Sequence, residues 1–128
     1  MAVAELTRVV TALAPENSAA GTTDGAAIDG SGFRSAELFV HTGAVSGSPT
    51  AVSVQVKLQE SDDASTWSDI AGATATLSGA NQSGSVAVHS ITKRYLRAVR
   101  TVSFTGGTSP AVLNAAVVVL GDARVRPA

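Results

Sequence analysis

The sequence predicts an all-β protein: an antiparallel β-sandwich or jelly roll with an extended N-terminal arm. Three observations carry the prediction. Apolar and polar residues alternate in short segments, most plainly in TAVSVQVKLQES, where Val52, Val54, Val56 and Leu58 face one way and Ser53, Gln55, Lys57 and Gln59 the other. That is the pattern of a strand with one buried and one solvated face. Turn signals separate such segments at roughly 8–12-residue spacing, the rhythm of a sandwich or barrel. Finally, hydrophobic residues make up 45% of the chain but aromatics only 4%, so the core has to be built from Val, Leu, Ile and Ala, which suit closely packed sheets.

Taken in order, residues 1–20 are read as the arm. Val3, Leu6, Val10 and Leu13 fit a helical face, whereas Leu6, Val10 and Ala12 fit one face of a strand, and the extended form is preferred. Residues 21–32 are a Gly/Ser/Thr-rich connection with Asp-Gly turn signals. The sandwich domain spans residues 33–128. Its first strand sets Ala36, Leu38 and Val40 against Ser35, Glu37 and His41, with Phe39 displaced onto the polar face. The strand of Val52–Leu58 follows. Residues 71–88 carry no charge and read as a strand, a turn over 78–84, and a further strand begun by Val86 and Val88. Residues 94–104, RYLRAVRTVSF, align Leu96, Ala98, Val102 and Phe104, interrupted by Arg100. Residues 105–110, TGGTSP, are a turn. The last strand, AVLNAAVVVLG, is apolar on both faces: Leu113, Val117 and Val119 match Val112, Val118 and Leu120. It is therefore expected at the centre of a sheet or in a subunit contact.

Composition narrows the function. At 128 residues the chain is expected to form one sandwich core that buries roughly two-thirds of its unfolded surface. A formal net charge of −1 supplies no field for gathering nucleic acid or an anionic membrane. Without cysteine there is neither a disulfide framework nor a thiolate metal site. Glu5 and Arg8 interrupt the N-terminal apolar run, so no secretory signal is expected. The most apolar stretch, 110–120, falls short of the roughly 18 residues a spanning helix needs. The expectation is a soluble, unexported protein.

No nucleophile elbow, phosphate-binding loop or dinucleotide fingerprint occurs, and His41 and His89 have no third group to complete a metal or catalytic triad. The stretch ESDDASTWSD over 60–69 holds the single Trp and a cluster of acids. Glu60, Asp62, Asp63 and Asp69 could offer hard oxygens to calcium, but their spacing matches no known loop. The preferred reading is a structural staple: Asp62 and Asp63 accept turn hydrogen bonds while Trp67 folds its ring over the sheet. Lys93, Arg94, Arg97 and Arg100 form the one basic cluster, with Tyr95 as the aromatic among them. Single-strand recognition wants more stacking platforms than that, so salt bridges within the sandwich or across a protein contact are expected.

Two segments also carry a resemblance: residues 56–70, VKLQESDDASTWSDI, and residues 93–99, KRYLRAV. They resemble the discoidin-type jelly-roll module, in which a strand runs through a Ser-Asp-Gly turn to a tryptophan and a later strand carries Arg-Tyr-(Ile/Leu)-Arg. They are more closely similar to small virion proteins of tailed bacteriophages, with their LQESDDGSTW, RYLRA and short valine-rich terminal strand. Leu58 to Trp67 and Arg94 to Ala98 match, with Ala64 replacing glycine. A left-handed turn there favours glycine, whereas a type I turn tolerates alanine.

The resemblance implies a non-enzymatic decoration, or cement, protein on the outer capsid surface, a homotrimer bridging subunits of the major capsid protein. Neither cofactor nor metal is implied. Candidate contact residues are Phe39, Leu113, Val117 and Val119 from the apolar faces and Arg97 and Arg100 from the basic cluster. Alternatives are a head-fibre base, a neck or tail-tip module, or a carbohydrate-binding jelly roll.

Overall fold

The computed structural model describes residues 8–123, and among these residues it contains strands but no helix. The strands are β1 (Arg8–Ser18), β2 (Gly21–Asp24), β3 (Ile28–Asp29), β4 (Phe33–Ser46), β5 (Ala51–Ser61), β6 (Ser68–Leu77), β7 (Ser83–Val88), β8 (Tyr95–Thr105) and β9 (Ala111–Ala123). They form two antiparallel sheets. Sheet A has the order β1-β9-β4-β7, and sheet B the order β2-β8-β5-β6, with β3 continuing along β8 beyond β2. Apart from β2–β3 and the β5–β6 hairpin, successive strands pass from one sheet to the other, which is the jelly-roll arrangement.

The core follows from the alternation. Ala36, Leu38 and Val40 of β4 and Val112, Ala116, Val118 and Leu120 of β9 face Val54, Val56 and Leu58 of β5 and Leu96, Ala98 and Val102 of β8, all buried. Every hydrophobic side chain buried in it is Ala, Val, Leu or Ile, as the composition requires. The apolar last strand takes the expected central place, hydrogen-bonded to β1 on one side and β4 on the other.

The division into arm, connection and body is corrected. From Arg8 onward the supposed arm is the edge strand of sheet A, pairing Arg8 with Leu120 through to Ser18 with Val112. The part of the arm before Arg8 lies outside the described residues. Two register shifts, between Thr11 and Leu13 and between Leu13 and Glu16, let the consecutive Ala12 and Leu13 both turn inward. These bulges break the period of two, which is why the segment reads as an extended arm rather than as a strand of the sheet. The connection is also structured: β2 and β3 pair with β8, and Gly25 donates its N–H to Ala98 O at 2.7 Å. A β-carbon on Gly25 would stand 2.6 Å from Ala12 O and 2.9 Å from Ala98 O, so this glycine lets the chain pass between the two sheets.

Short loops collect at two ends. One end carries 19–20, 47–50, 78–82 and 106–110; the other carries 30–32, 62–67 and 89–94, together with the start of β1 and the end of β9.

Candidate interaction surface

The two sheets present opposite outer faces. On sheet B the outer row is a lattice of paired charges. Lys57 Nζ lies 3.1 Å from Asp69, and Gln59 Nε2 donates to Asp69 Oδ1 at 2.8 Å. Arg97 Nε donates to Gln59 Oε1 at 2.8 Å, and its Nη1 lies 3.6 Å from Asp24 Oδ2. These hydrogen bonds from Gln59 and Lys57 hold the Asp69 carboxyl below its usual range. The face is self-satisfied and solvated.

Sheet A differs. Its outer rows place Val9 opposite Val119, and Thr11 and Phe39 on either side of Val117. Val9 is 67% exposed, Phe39 42% and Leu113 44%, with Val117 and Val119 half-buried beside them. Glu37 is the charged side chain in these rows. Leu113 leans over Gly43, where an added β-carbon would meet its Cδ2 at 3.0 Å. Four of the six predicted contact residues, Phe39, Leu113, Val117 and Val119, thus come together as one apolar strip. Val9 belongs to it as well, and was missed because its strand was read as an arm.

The two arginines do not join that strip. Arg97 lies on the outer face of sheet B with its guanidinium 4.6 Å from the Trp67 ring centroid. Arg100 is a correction: it is 1% exposed and points between the sheets, so it offers no surface contact. Its Nη1 donates to Asn114 Oδ1 and its Nη2 to Glu16 Oε2, each at 2.9 Å. Asn114 Nδ2 in turn reaches Ser18 Oγ at 3.1 Å, Val112 O at 3.0 Å and Glu16 O at 3.3 Å. The expected salt bridges within the sandwich form at Arg94, Arg97 and Arg100, and the buried Arg100 network ties β8 and β9 to the edge strand. Arg94 is engaged elsewhere, 3.0 Å from Asp29 and over the Tyr95 ring at 5.0 Å. Its guanidinium holds the Asp29 carboxyl well below the usual carboxylate range. The basic cluster of the sequence is dispersed into separate settings.

At the β5–β6 turn the staple is built differently from its expected form. Ser61, fully buried, accepts from Ala64 N at 2.9 Å and Asp63 N at 3.2 Å and donates to Asp63 Oδ1 at 2.9 Å. The same Oδ1 accepts from Ser65 N at 2.9 Å and Thr66 N at 3.0 Å. These bonds, that from Thr66 foremost, lower the Asp63 carboxyl from 3.8 to about 2. Asp62 is exposed and takes no part in these bonds. Ala64 adopts φ +60°, the left-handed turn rather than the type I alternative. Trp67 is half-buried and outside the core, with its ring against the Arg97 guanidinium. Among the described residues no three His, Cys, Asp or Glu side chains cluster as metal ligands, and no helix is long and apolar enough to cross a membrane.

No protein-family model and no curated protein sequence matches the chain. Solved structures do resemble it. The PBSX exported protein XepA superposes with a TM-score of 0.65 at 14% identity, over 99% of this chain and 42% of XepA; the chain thus spans about two fifths of that protein's length. A protein of the Bacillus endospore appendages, which form disulfide-linked pili, gives 0.49 at 13% identity over 92% of this chain and 89% of its own. The CBM36-1 domain of a multidomain xylanase from the hindgut metagenome of Trinervitermes trinervoides gives 0.41 at 11% identity, over 93% and 99% of the two chains. At such identities the likeness to XepA is one of fold.

Proposed function

We propose that this protein is a non-enzymatic structural component of a tailed-phage virion, a decoration protein that assembles as a homotrimer and bridges subunits of the major capsid protein. The observation that carries this is the apolar strip of Val9, Phe39, Leu113, Val117 and Val119, set on the one outer face that has no ion-pair lattice. Solvated side chains at such positions would be polar; a half-exposed apolar strip, with Glu37 the charged side chain in its rows, fits a lateral contact between copies. Burying it yields about 25 cal/mol per Å² before association costs are subtracted. A trimer then presents three shell contacts at once, so modest individual affinities give durable attachment. Binding the expanded shell in preference to the unexpanded one stabilises that state by linkage.

The test adds purified protein to expanded and unexpanded shells of the encoding phage, assembled without it, and follows occupancy and heat resistance. Saturable binding to expanded shells with raised heat resistance is expected, and Phe39→Glu should lower occupancy while the fold is retained. Binding confined to the portal vertex or tail would assign the protein to the neck or a fibre base. Glycan binding lost in Trp67→Ala at unchanged melting temperature would replace this reading with a carbohydrate-binding one.

A further inference from the structure

Charge is segregated along the long axis of the sandwich. Residues 38–56, 70–92 and 101–121 contain no Asp, Glu, Lys or Arg. The fold brings the loops of all three stretches, 47–50, 78–82 and 106–110, to one end beside the uncharged 19–20 loop. Among the described residues, the charged side chain nearest that end, Glu16, is tied to Arg100. The opposite end holds Arg8, Asp29, Arg34, Asp62, Asp63, Lys93 and Arg94.

The uncharged end is also stiff. Thr50 N donates to Thr105 O at 2.7 Å, Thr108 N to Gly47 O at 2.8 Å, Thr42 N to Gln82 O at 2.8 Å and Asn81 N to Gly43 O at 3.0 Å. A β-carbon on Gly47 would lie 2.6 Å from Pro110 Cα, so two of the loops interlock. Four non-glycine residues of the described chain have positive φ, and three stand here: Ser48 at 53°, Asn81 at 55° and Ser109 at 45°. Such conformations persist only where their surroundings dictate them.

Resting on the attachment proposed above, we infer that this charge-free end is the one pressed against the shell, onto a capsid-protein surface that is itself poor in charge and rich in hydrogen-bonding groups. Three observations favour this occupant. An end without charges loses no ionic hydration when covered, whereas the opposite end would have to desolvate a crowd of charged groups. Loops already locked give up little entropy on docking. The end also adjoins the apolar strip through Leu113 and Gly43, so copies packed side by side through that strip present the loops in one layer.

The experiment measures occupancy of expanded shells by the full chain and by Ala80→Glu and Thr108→Glu, single changes in two exposed loops of this end, beside Arg34→Glu and Lys93→Glu at the other. Thermal unfolding confirms each fold, and the two loops provide independent tests. Either loop variant should lower apparent affinity at least about tenfold, as a buried unpaired charge does, while the opposite-end variants bind as the parent. Occupancy by the parent should hold between about 0.1 and 1 M salt, over which the screening length falls from about 10 to 3 Å. Loss of binding in the Arg34 or Lys93 variants, steep weakening by salt, or undisturbed binding of both loop variants would overturn the assignment while leaving attachment intact. Failure of the parent to bind shells at all would remove both.

Discussion

The β5–β6 turn shows how much one residue decides. Asp62 and Asp63 are equivalent in sequence, yet with Ala64 left-handed the amides of Ser65 and Thr66 converge on Asp63 alone, and the buried Ser61 hydroxyl closes the turn from the other side. That a turn stood here was legible in the sequence; which carboxylate would serve it depended on a backbone angle that alanine does not announce. Because the Asp63 carboxyl titrates at about 2 when folded, below its ordinary 3.8, its charge contributes stability above pH 3.8, and that contribution is lost as pH falls through about 2. Thermal unfolding of Asp63→Asn should therefore lie below that of the parent at neutral pH and converge with it toward pH 2; a constant gap would show that the charge is immaterial. Left-handed alanine costs about 1–2 kcal/mol, and glycine gives back about 0.5–1 of that gain through the unfolded chain. Ala64→Gly should thus stabilise by about 0.5 kcal/mol, read as a raised denaturation midpoint, and a lowered midpoint would contradict the strain argument. Trp67 leans on Arg97 at the surface, so Trp67→Ala should cost about 1–2 kcal/mol, from the cation–π contact and partial burial. A loss of about 3–5, as for a truncated core tryptophan, would place it back in the core.

Among the elements, the contrast between β5 and β1 explains what could be read. Val52, Val54, Val56 and Leu58 keep an unbroken period and declare their strand, whereas Ala12, Leu13 and Pro15 sit in and around two bulges that erase it. Those irregularities have a use, since an edge strand with bulges and a proline resists pairing with strangers. They also leave β1 in need of another anchor, which Arg100 and Asn114 supply from the neighbouring strands. A charged residue interrupting an apolar face was visible in RYLRAVRTVSF; its partners, Glu16 and Asn114, were not, because no periodicity links residues so far apart in the chain. Asn114→Ala leaves a buried guanidinium with one partner fewer and removes the Asn114 ties to Glu16 O and Ser18, leaving the Arg100–Glu16 pair as the remaining link from this network to β1. It should cost about 2–4 kcal/mol by denaturant unfolding. Adding Arg100→Met, which removes the under-paired buried guanidinium, should recover a good part of the loss, since an apolar replacement of a buried polar group is often nearly neutral. If the double variant is no more stable than Asn114→Ala, the network is not what holds the edge.

For the molecule as a whole, the two outer faces follow from one sequence fact, that charged residues are few and unevenly placed. The hairpin of β5 and β6, with Lys57 and Asp69, and β8, with Arg97, set charges linked through Gln59 in a lattice on sheet B, while β9 and β4 face outward with Val117, Val119 and Phe39. The doubly apolar last strand was legible as central or contacting, and it is central, yet none of the described residues covers its outer side. If a second and third copy do, folding and association are coupled, and a species that binds only the folded state raises the unfolding temperature with its own concentration. The melting temperature of the parent should therefore climb across a hundredfold range of protein concentration, with scattering reporting three copies at the upper end. Phe39→Glu places a charge in the strip where a neighbour would have to desolvate it, and should abolish the climb while leaving the dilute melting temperature close to that of the parent, because Phe39 lies outside the core. High salt should not weaken the association, since no ion pair among the described residues lies in the strip to be screened. A melting temperature independent of concentration, or an association dissolved by salt, would leave the apolar face without its proposed occupant and shift the lateral contact to the charged lattice of sheet B.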